Sequence, residues 1–285
     1  MITVENLTFT YPGAAQPAVK DISFALNKGE ILGFLGPSGA GKTTTQRILT
    51  GLLKGYSGHV TAFGRELKTW RHDYYTRIGV HFELPNHYLK LTALENLNYF
   101  ASLYEGEKED PRKLLEMVGL ADDANVLVGN FSKGMKMRLN FVRSLLHRPE
   151  LLFLDEPTAG LDPANARTIK DIILRLRQSG VTVFLTTHDM TVADELSDRV
   201  AFIVNGRIEM LDTPKALKLK YGKREVVVEY VDDAGGLARQ TFAMDGLGDD
   251  GAFINLLRQR RIETIHSQET TLEQIFLRVT GRELG

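Results

Sequence analysis

The chain has 285 residues, of which 43% are hydrophobic, so it exceeds one average domain and can bury a real core. Its net charge of −1, from 35 basic and 36 acidic residues, argues against a dedicated nucleic-acid-binding protein. Because the chain has no cysteine, disulfides, thiolate metal sites and cysteine nucleophiles are excluded.

Nothing in the sequence predicts secretion or a membrane span. The first residues, MITVENLTF, lack the basic and apolar regions of a signal peptide. No apolar run reaches the roughly 18 residues that a membrane-spanning helix needs. We therefore expect any role at a membrane to depend on a partner protein.

The N-terminal stretch is predicted to form strands. ITVENLTFTY and VKDISFAL are rich in β-branched and aromatic residues, and the second alternates apolar and polar positions. A turn is predicted at Asn27, Lys28 and Gly29. The apolar run Ile31–Leu35 predicts the strand that follows this turn.

The octapeptide GPSGAGKT follows this strand and fits the pattern G-x-x-x-x-G-K-[ST]; a short predicted helix ending at Gly51 comes next. In this context backbone N–H groups and the helix N-terminus bind phosphate groups. Lys42 adds a positive charge, and the Thr43 hydroxyl is a ligand for Mg²⁺. The sequence therefore predicts a nucleoside triphosphate site at Gly36, Pro37, Ser38, Gly39, Ala40, Gly41, Lys42, Thr43 and Thr44.

The rest of the first 222 residues predicts an α/β fold. Residues 85–149 are expected to be largely helical, and LLFLD and VTVFLTT are short apolar runs typical of buried parallel strands. A helix is predicted over residues 164–179, between those strands. VAFIV-NG-RIEML predicts a hairpin with a primed turn at Asn205 and Gly206. Strands that alternate with helices around a phosphate loop indicate a parallel sheet.

Two carboxylates stand at the end of the predicted strand LLFLD. Asp155 is placed to hold the Mg²⁺ shell, and Glu156 can polarise a water molecule for in-line attack on the γ-phosphate. Thr186, Thr187 and His188 end the next strand, so we expect the His188 imidazole at the same edge of the sheet.

These motifs and their order resemble the ATP-binding subunits of ABC transporters over residues 1–222. The family order is A-loop, Walker A, Q-loop, signature, Walker B, D-loop and H-loop. The resemblance implies a P-loop NTPase core of the ABC ATPase type, with an N-terminal antiparallel β subdomain and a helical subdomain at about 84–150. It also implies ATP and Mg²⁺ as cofactors, and Lys42, Glu156 and His188 as catalytic residues.

The resemblance assigns roles to further residues. Tyr11 would stack on adenine, although TFTYPG also fits an ordinary strand tyrosine. Asp162, in AGLDP, would communicate between two ATP sites. Ser132 and Gly134, at the start of a predicted helix, would contact ATP held on the opposite subunit. A head-to-tail dimer is therefore implied, and we expect a homodimer.

Two segments depart from the family pattern. In the signature, Lys133 and Met135 replace glycine and glutamine; Lys133 either strengthens phosphate binding or points to solvent. Glu83 takes the place of the Q-loop glutamine, and we expect it to be a Mg²⁺ ligand, the alternative being a solvated loop carboxylate. Three nearby histidines are expected at the surface rather than in a metal site: His72, His81 and His87.

The composition changes near residue 222. Residues 223–285 contain short strand candidates, two helix candidates and turns rich in glycine and aspartate, which predicts a small α+β extension. This part loosely resembles the C-terminal extension of ABC-2 drug-exporter subunits. It is expected either to have a regulatory or dimer-supporting role or to be a passive packing appendage. The predicted domains are therefore 1–222, the ATP-binding cassette, and 223–285, an accessory domain.

The resemblance implies an ATP-hydrolysing exporter subunit at the cytoplasmic face of the membrane, driving a separate transmembrane permease by ATP-dependent dimer closure. One alternative is a soluble ABC-type ATPase acting on ribosomes or DNA, which the single cassette and the balanced charge disfavour. Another is a regulatory half of a heterodimer, which the intact Lys42, Asp155 and Glu156 disfavour. No nucleic-acid partner is expected.

Overall fold

The computed structural model describes residues 1–222, 224–268 and 270–281. Its contacts divide the chain into two compact units, the first being Met1–Thr213 and the second beginning at Pro214. No helix in the described part of the chain is long and apolar enough to cross a membrane.

The strands of the first unit form two sheets. They are β1 (Ile2–Phe9), β2 (Val19–Leu26), β3 (Ile31–Leu35), β4 (Ser57–Ala62), β5 (Arg65–Glu66), β6 (Ile78–His81), β7 (Leu151–Asp155), β8 (Thr182–Thr187), β9 (Arg199–Val204) and β10 (Arg207–Asp212). The helices of this unit are α1 (Lys42–Leu49), α2 (His72–Tyr75), α3 (Ala93–Ser102), α4 (Pro111–Met117), α5 (Lys133–Arg143), α6 (Pro163–Gln178) and α7 (Met190–Leu196).

One sheet is antiparallel, in the order β2-β1-β4-β5, and forms the predicted N-terminal β subdomain. The other has the order β10-β9-β3-β8-β7-β6, with all pairs parallel except β10 with β9. Every residue of β3, β7 and β8 is buried, because helices pack on one face of this sheet, while the antiparallel sheet and α1 pack on the other. The predicted α/β fold is confirmed.

Parallel pairing brings the carboxyl ends of β3, β7 and β8 to one edge of the sheet. The loops that leave these strands therefore start side by side. At the β9–β10 hairpin, Asn205 and Gly206 have φ of 50° and 81°, as the predicted primed turn requires. This edge of the parallel sheet carries the candidate site.

The helical part of the first unit lies between β6 and β7. Capping defines its helices: Thr92 and Glu95 form a capping box on α3, and the side chain of Asp110 caps α4. The apolar faces of α3, α4 and α5 share one core, which includes Leu97, Leu115 and Leu139.

The surface prediction is wrong for two of the three histidines. His81 is fully buried at the end of β6, with its ring 6.2 Å from that of Phe141. His87 is half-buried, and its Nε2 lies 2.9 Å from the carbonyl oxygen of Lys136. The reason is that α5 packs against β6, and burial lowers the pKa of both imidazoles to about 4. His72 is exposed.

The second unit begins with α8 (Pro214–Tyr221) and contains β11 (Glu225–Val231), β12 (Leu237–Ala243), α9 (Gly251–Gln259), β13 (Arg261–Gln268) and α10 (Leu272–Thr280). Its antiparallel sheet has the order β12-β11-β13. A small core forms where Val226, Val228 and Phe242 pack with apolar residues of α9. The predicted small α+β extension is thus present as a sheet with helices.

Candidate active site

Glycine is required at several positions of the loop between β3 and α1. Gly39 and Gly41 have φ of 76° and 112°, in the region that other residues rarely adopt. A Cβ atom on Gly36 would lie 2.2 Å from the carbonyl oxygen of Ile203, which excludes any side chain there. The loop can therefore curve tightly and deliver its backbone N–H groups to an anion.

Lys42 opens α1 and is oriented by the loop that precedes it. Its Nζ donates to the carbonyl oxygens of Gly36 at 2.5 Å and Pro37 at 3.1 Å. Burial lowers the pKa of this ammonium, while the negative charges of Glu156 and Asp155 oppose the shift. The lysine thus holds its cationic end against the phosphate loop.

Asp155, the last residue of β7, is buried and hydrogen-bonded. It accepts from the hydroxyl of Thr186 at 2.6 Å. Burial raises the pKa of this carboxyl group, and the charges of Glu156 and Glu83 add to the effect. The carboxylate therefore gains from a nearby cation, which would favour its charged form.

Glu156 has a backbone conformation that is uncommon for a residue with a side chain. Its φ is 49°, and its N–H donates to the carbonyl oxygen of Thr186 at 2.9 Å. The neighbouring strand β8 thus holds Glu156 in the left-handed region. This conformation turns the chain away from the sheet directly after the two carboxylates.

The structure brings Glu156 and His188 together, and the carboxylate is only 8% exposed. Its Oε1 accepts from the backbone N–H of His188 at 2.9 Å and lies 2.6 Å from His188 Nδ1. Its Oε2 accepts from the hydroxyl of Thr187 at 2.8 Å. The orientation of the carboxylate is thus fixed before any ligand binds.

Thr43, Glu83 and Asp155 line one cavity of about 620 Å³ beside α1. A hydroxyl and two carboxylates are oxygen ligands of the kind that Mg²⁺ prefers. Among the described residues, no cluster of three or more His, Cys, Asp or Glu side chains could hold a metal ion. A Mg²⁺ ion in this cavity would therefore share its ligands between the protein and phosphate oxygens.

Tyr11 lies beside the start of α1, with its hydroxyl 3.2 Å from the Thr44 hydroxyl. Its ring packs edge-to-face on Phe9, with the centroids 4.9 Å apart. The residue is half-buried, so part of the ring faces solvent next to the phosphate loop. This position suits an aromatic platform for a base.

The predicted trans-contacting residues lie at helix starts. Ser132 is exposed and caps α5 by accepting from the Met135 N–H at 3.2 Å. Gly134 follows in the first turn of the same helix. Asp162 caps α6, and hydrogen bonds from Asn165 hold the pKa of its carboxyl group below the usual range.

Sequence reasoning missed a buried polar link between α1 and the carboxylates. The Thr186 hydroxyl lies 2.7 Å from Gln46 Oε1 as well as 2.6 Å from Asp155 Oδ1. Gln46 and Thr186 are both buried. The sequence offered no clear signal for this link, because Gln46 stands among polar residues of α1 and Thr186 is followed by Thr187 and His188.

A glycine loop between β3 and α1, with an acidic pair at the end of a neighbouring parallel strand, defines a P-loop nucleoside triphosphatase. The family model for ABC transporters matches residues 19–159, and that for the C-terminal domain of fluoroquinolone efflux ABC transporters matches residues 224–269. The chain belongs to the ABC transporter family and is one of its ATP-binding, ATP-hydrolysing subunits.

Relatives with similar lengths support this assignment. The chain is 60% identical over 284 residues to a fluoroquinolones export ATP-binding protein of Mycobacterium tuberculosis, covering 100% of this chain and 94% of the relative. It is 34% identical over 301 residues to a bacitracin transport ATP-binding protein of Bacillus licheniformis, covering 99% and 97%. The alternative of a soluble machine acting on ribosomes or DNA gains no support from these relatives.

Solved structures show the same fold. A post-hydrolysis dimer of an ATP-binding cassette bound to ADP and phosphate matches with a TM-score of 0.69 and 28% identity, covering 75% of this chain and 98% of that one. An ATP-binding subunit of an ABC transporter matches with a TM-score of 0.71 and 27% identity, covering 78% and 93%. The predicted ABC ATPase architecture is confirmed.

Proposed function

We propose that this chain powers the export of fluoroquinolone-type drugs through a separate transmembrane permease. The observation that carries the proposal is the 60% identity over 284 residues to a fluoroquinolones export ATP-binding protein. The efflux-type C-terminal domain model at residues 224–269 adds to it. The chain would act at the cytoplasmic face of the membrane, held there by the permease.

Drug accumulation tests this proposal. The chain and its permease would be expressed together in a fluoroquinolone-sensitive bacterium, with the Glu156→Gln variant as the inactive control. The parent should lower the intracellular level of a fluoroquinolone, whereas the variant should not. Equal accumulation in both strains, with ATP hydrolysis intact in the purified parent, would overturn the choice of substrate while leaving the ATPase assignment.

Glu156 is proposed as the general base for hydrolysis. The hydrogen bonds from Thr187 and His188 hold its carboxylate in place, and the half-exposed ring of His188 can face the γ-phosphate. Lys42 and the loop N–H groups would stabilise charge on the phosphates, and Tyr11 would stack on adenine.

Mg²⁺ is proposed to bind through Thr43, Asp155 and Glu83. These side chains line the same cavity, and their oxygens suit this ion. Bound with ATP, the ion would neutralise charge on the phosphates. Glu83 retains an oxygen ligand where an amide is usual in the family.

A head-to-tail homodimer is proposed to complete each ATP site. Ser132 is exposed at the N-terminus of α5, where a helix favours an anion, yet it does not line the cavity that contains Thr43. A solved dimer among the related cassettes supports this assembly. If ATPase activity rises in strict proportion to protein concentration down to the lowest measurable level, self-association would play no part.

The permease is proposed to dock on an exposed apolar surface beside α3. This α3 surface is formed by Leu52, Tyr75, Phe82, Leu84, Tyr88, Tyr99 and Leu103. The side chain of Leu84 is 79% exposed, and two cavities that share Phe82 and Phe100 run through the surface. Contiguous exposed apolar side chains of this kind mark contact sites for other proteins. The occupant would be a helix of the permease.

The domain organisation remains a proposal. Residues 1–222 would form the ATP-binding cassette, with the helical subdomain at about 84–150, and residues 223–285 would form the accessory domain. The start of the second family model at residue 224 supports this division. By contacts, α8 groups with the second unit.

A further inference from the structure

Helix α5 holds both ends of the segment that contains Glu83. The side-chain amide of Asn140 donates to the carbonyl oxygen of Phe82 at 2.8 Å, and Asn140 is fully buried. The guanidinium of Arg143 donates to the carbonyl oxygen of Asn86. Glu83 therefore lies between two backbone positions that are fixed to the same helix.

The two side chains also fix each other. Arg143 Nη2 donates to Asn140 Oδ1 at 2.7 Å. The guanidinium lies over the ring of Phe100, 4.5 Å from its centroid. Among the described residues, Arg143 forms no ion pair with a carboxylate, so its charge is stabilised by these oxygens and by the ring.

A third hydrogen bond joins the same helix to the end of the segment. The His87 Nε2 lies 2.9 Å from the carbonyl oxygen of Lys136, one helical turn before Asn140. Residues 82–87 are thus held against α5 at three points. Because α5 begins immediately after Ser132, the same helix carries the signature residues at its other end, roughly 15 Å away at 1.5 Å per residue.

We propose that Asn140 and Arg143 are positioning residues that hold the segment around Glu83 where the Glu83 carboxylate can bind Mg²⁺. The inference rests on the proposed role of Glu83 as a Mg²⁺ ligand.

The same clamp connects the ATP site to the permease surface. Arg143 lines the 620 Å³ cavity that contains Thr43, Glu83 and Asp155, and also a second cavity of about 240 Å³ beside Leu52 and Tyr75. Arg143 is therefore shared between the cavity at the ATP site and the cavity at the α3 surface.

The test is a magnesium titration of nucleotide binding. Binding of ATP to the purified full chain would be followed by the shift in melting temperature and by a fluorescent ATP analogue, with and without Mg²⁺. Arg143→Lys keeps the charge but loses the forked hydrogen bonds. We expect the half-saturating Mg²⁺ concentration to rise about tenfold, as loss of a supporting group does at metal sites. Magnesium-free ATP binding should change less than about twofold, because the loop that holds ATP is untouched.

Arg148→Lys is the matched control. Arg148 forms exposed ion pairs with Glu107 and Glu109, so the same chemical change there should not alter the magnesium dependence. Asn140→Ser is a second test of the clamp, and the melting temperatures of the nucleotide-free variants report whether each one folds. If either clamp variant folds and binds Mg²⁺–ATP with the parental magnesium dependence, the clamp has no positioning role.

A double-mutant cycle separates the proposed ligand role of Glu83 from the proposed positioning role of Arg143. In a Glu83→Ala background, Arg143→Lys should cause no further change in magnesium dependence, because the oxygen ligand that it positions is gone. A full additional effect in that background would overturn the clamp. If Glu83→Ala alone leaves the magnesium dependence unchanged, the ligand role fails and the clamp proposal fails with it. If Glu83→Ala weakens Mg²⁺ binding and Arg143→Lys does not, the clamp alone fails.

Discussion

The edge of the parallel sheet and the α3 surface lie close in the first unit but are built in opposite ways. At the sheet edge, Asp155 and Glu156 are buried. Asp155 accepts a hydrogen bond from Thr186 of β8, and Glu156 accepts hydrogen bonds from Thr187 of β8 and from His188. On the α3 surface, apolar side chains such as Leu84 and Leu103 stand in solvent. A site for a small charged ligand gains from preorganised polar groups, whereas a site for another protein keeps the apolar area that the partner will cover.

The largest effect in this comparison is expected from replacing Glu156, the proposed general base. Glu156→Gln keeps the size of the side chain but cannot accept a proton, so phosphate release should fall by about 10²–10⁴-fold. ATP binding should persist, because the phosphate loop is intact. Glu150→Gln, in an exposed ion pair with Arg77, is the matched control and should retain activity. Turnover at the parental rate in Glu156→Gln would show that another group is the base.

Acid should lower the free energy of unfolding through His87, which lies between the two regions. Burial lowers the pKa of His87 to about 4, below the usual 6.5, so the unfolded chain binds more protons between these values. Stability should be constant above about pH 6.5 and fall toward pH 4, by roughly 2–3 kcal/mol for this group. Urea unfolding of the parent and of His87→Gln, compared at pH 7.5 and pH 5, should give a smaller loss for the variant. An equal loss in both would exclude His87 as a cause.

Removing the Thr186 hydroxyl tests whether the hydrogen bonds at the edge of the parallel sheet stabilise the fold. The single Thr186 hydroxyl hydrogen can reach a buried oxygen on Asp155 or on Gln46, and Thr186→Val leaves that acceptor without its donor. The free energy of unfolding should therefore fall by about 1–3 kcal/mol. Thr168→Val makes the same change at a half-buried position of α6, where the hydroxyl bonds only to the carbonyl oxygen of Ala164, and should have little effect. Thermal unfolding of the two variants decides the point; equal melting temperatures would mean that the Thr186 hydroxyl adds nothing.

The smallest expected effect comes from a substitution on the α3 surface. Leu103 is 55% exposed on the α3 surface, so Leu103→Ser should leave the stability of the isolated chain within about 0.5 kcal/mol. Binding to the permease in detergent or nanodiscs should weaken by about 1 kcal/mol, or roughly fivefold. Leu219, 71% exposed on α8, gives the control Leu219→Ser. If Leu219→Ser weakens permease binding and Leu103→Ser does not, the permease does not dock on the α3 surface.

Most of the nucleotide-binding part of the fold could be predicted from the sequence. The apolar runs of β3 and β7 match their observed bounds, because strands buried on both faces leave an uninterrupted apolar signal. The phosphate loop and the proximity of Glu156 and His188 follow from motif order and parallel pairing. These features depend on local sequence and a small number of topological rules.

The remaining features depend on tertiary contacts that no local pattern encodes. β6 is four residues long and contains His81, whose burial comes from α5 packing against it. Likewise, the clamp joins Asn140 and Arg143 to a segment that is more than 50 residues earlier in the chain. Such hydrogen bonds to backbone carbonyl groups carry no side-chain signal in the partner segment, so sequence reasoning did not find them.

The left-handed backbone of Glu156 has a consequence for how this position would behave under selection. At a φ of 49° the backbone favours glycine or asparagine, which tolerate this region best. A library randomised at residue 156 and screened only for soluble, folded protein should therefore enrich those two residues. The same library screened for drug resistance should return to glutamate. Residue 156 is thus a position where the demands of the fold and of the chemistry favour different amino acids.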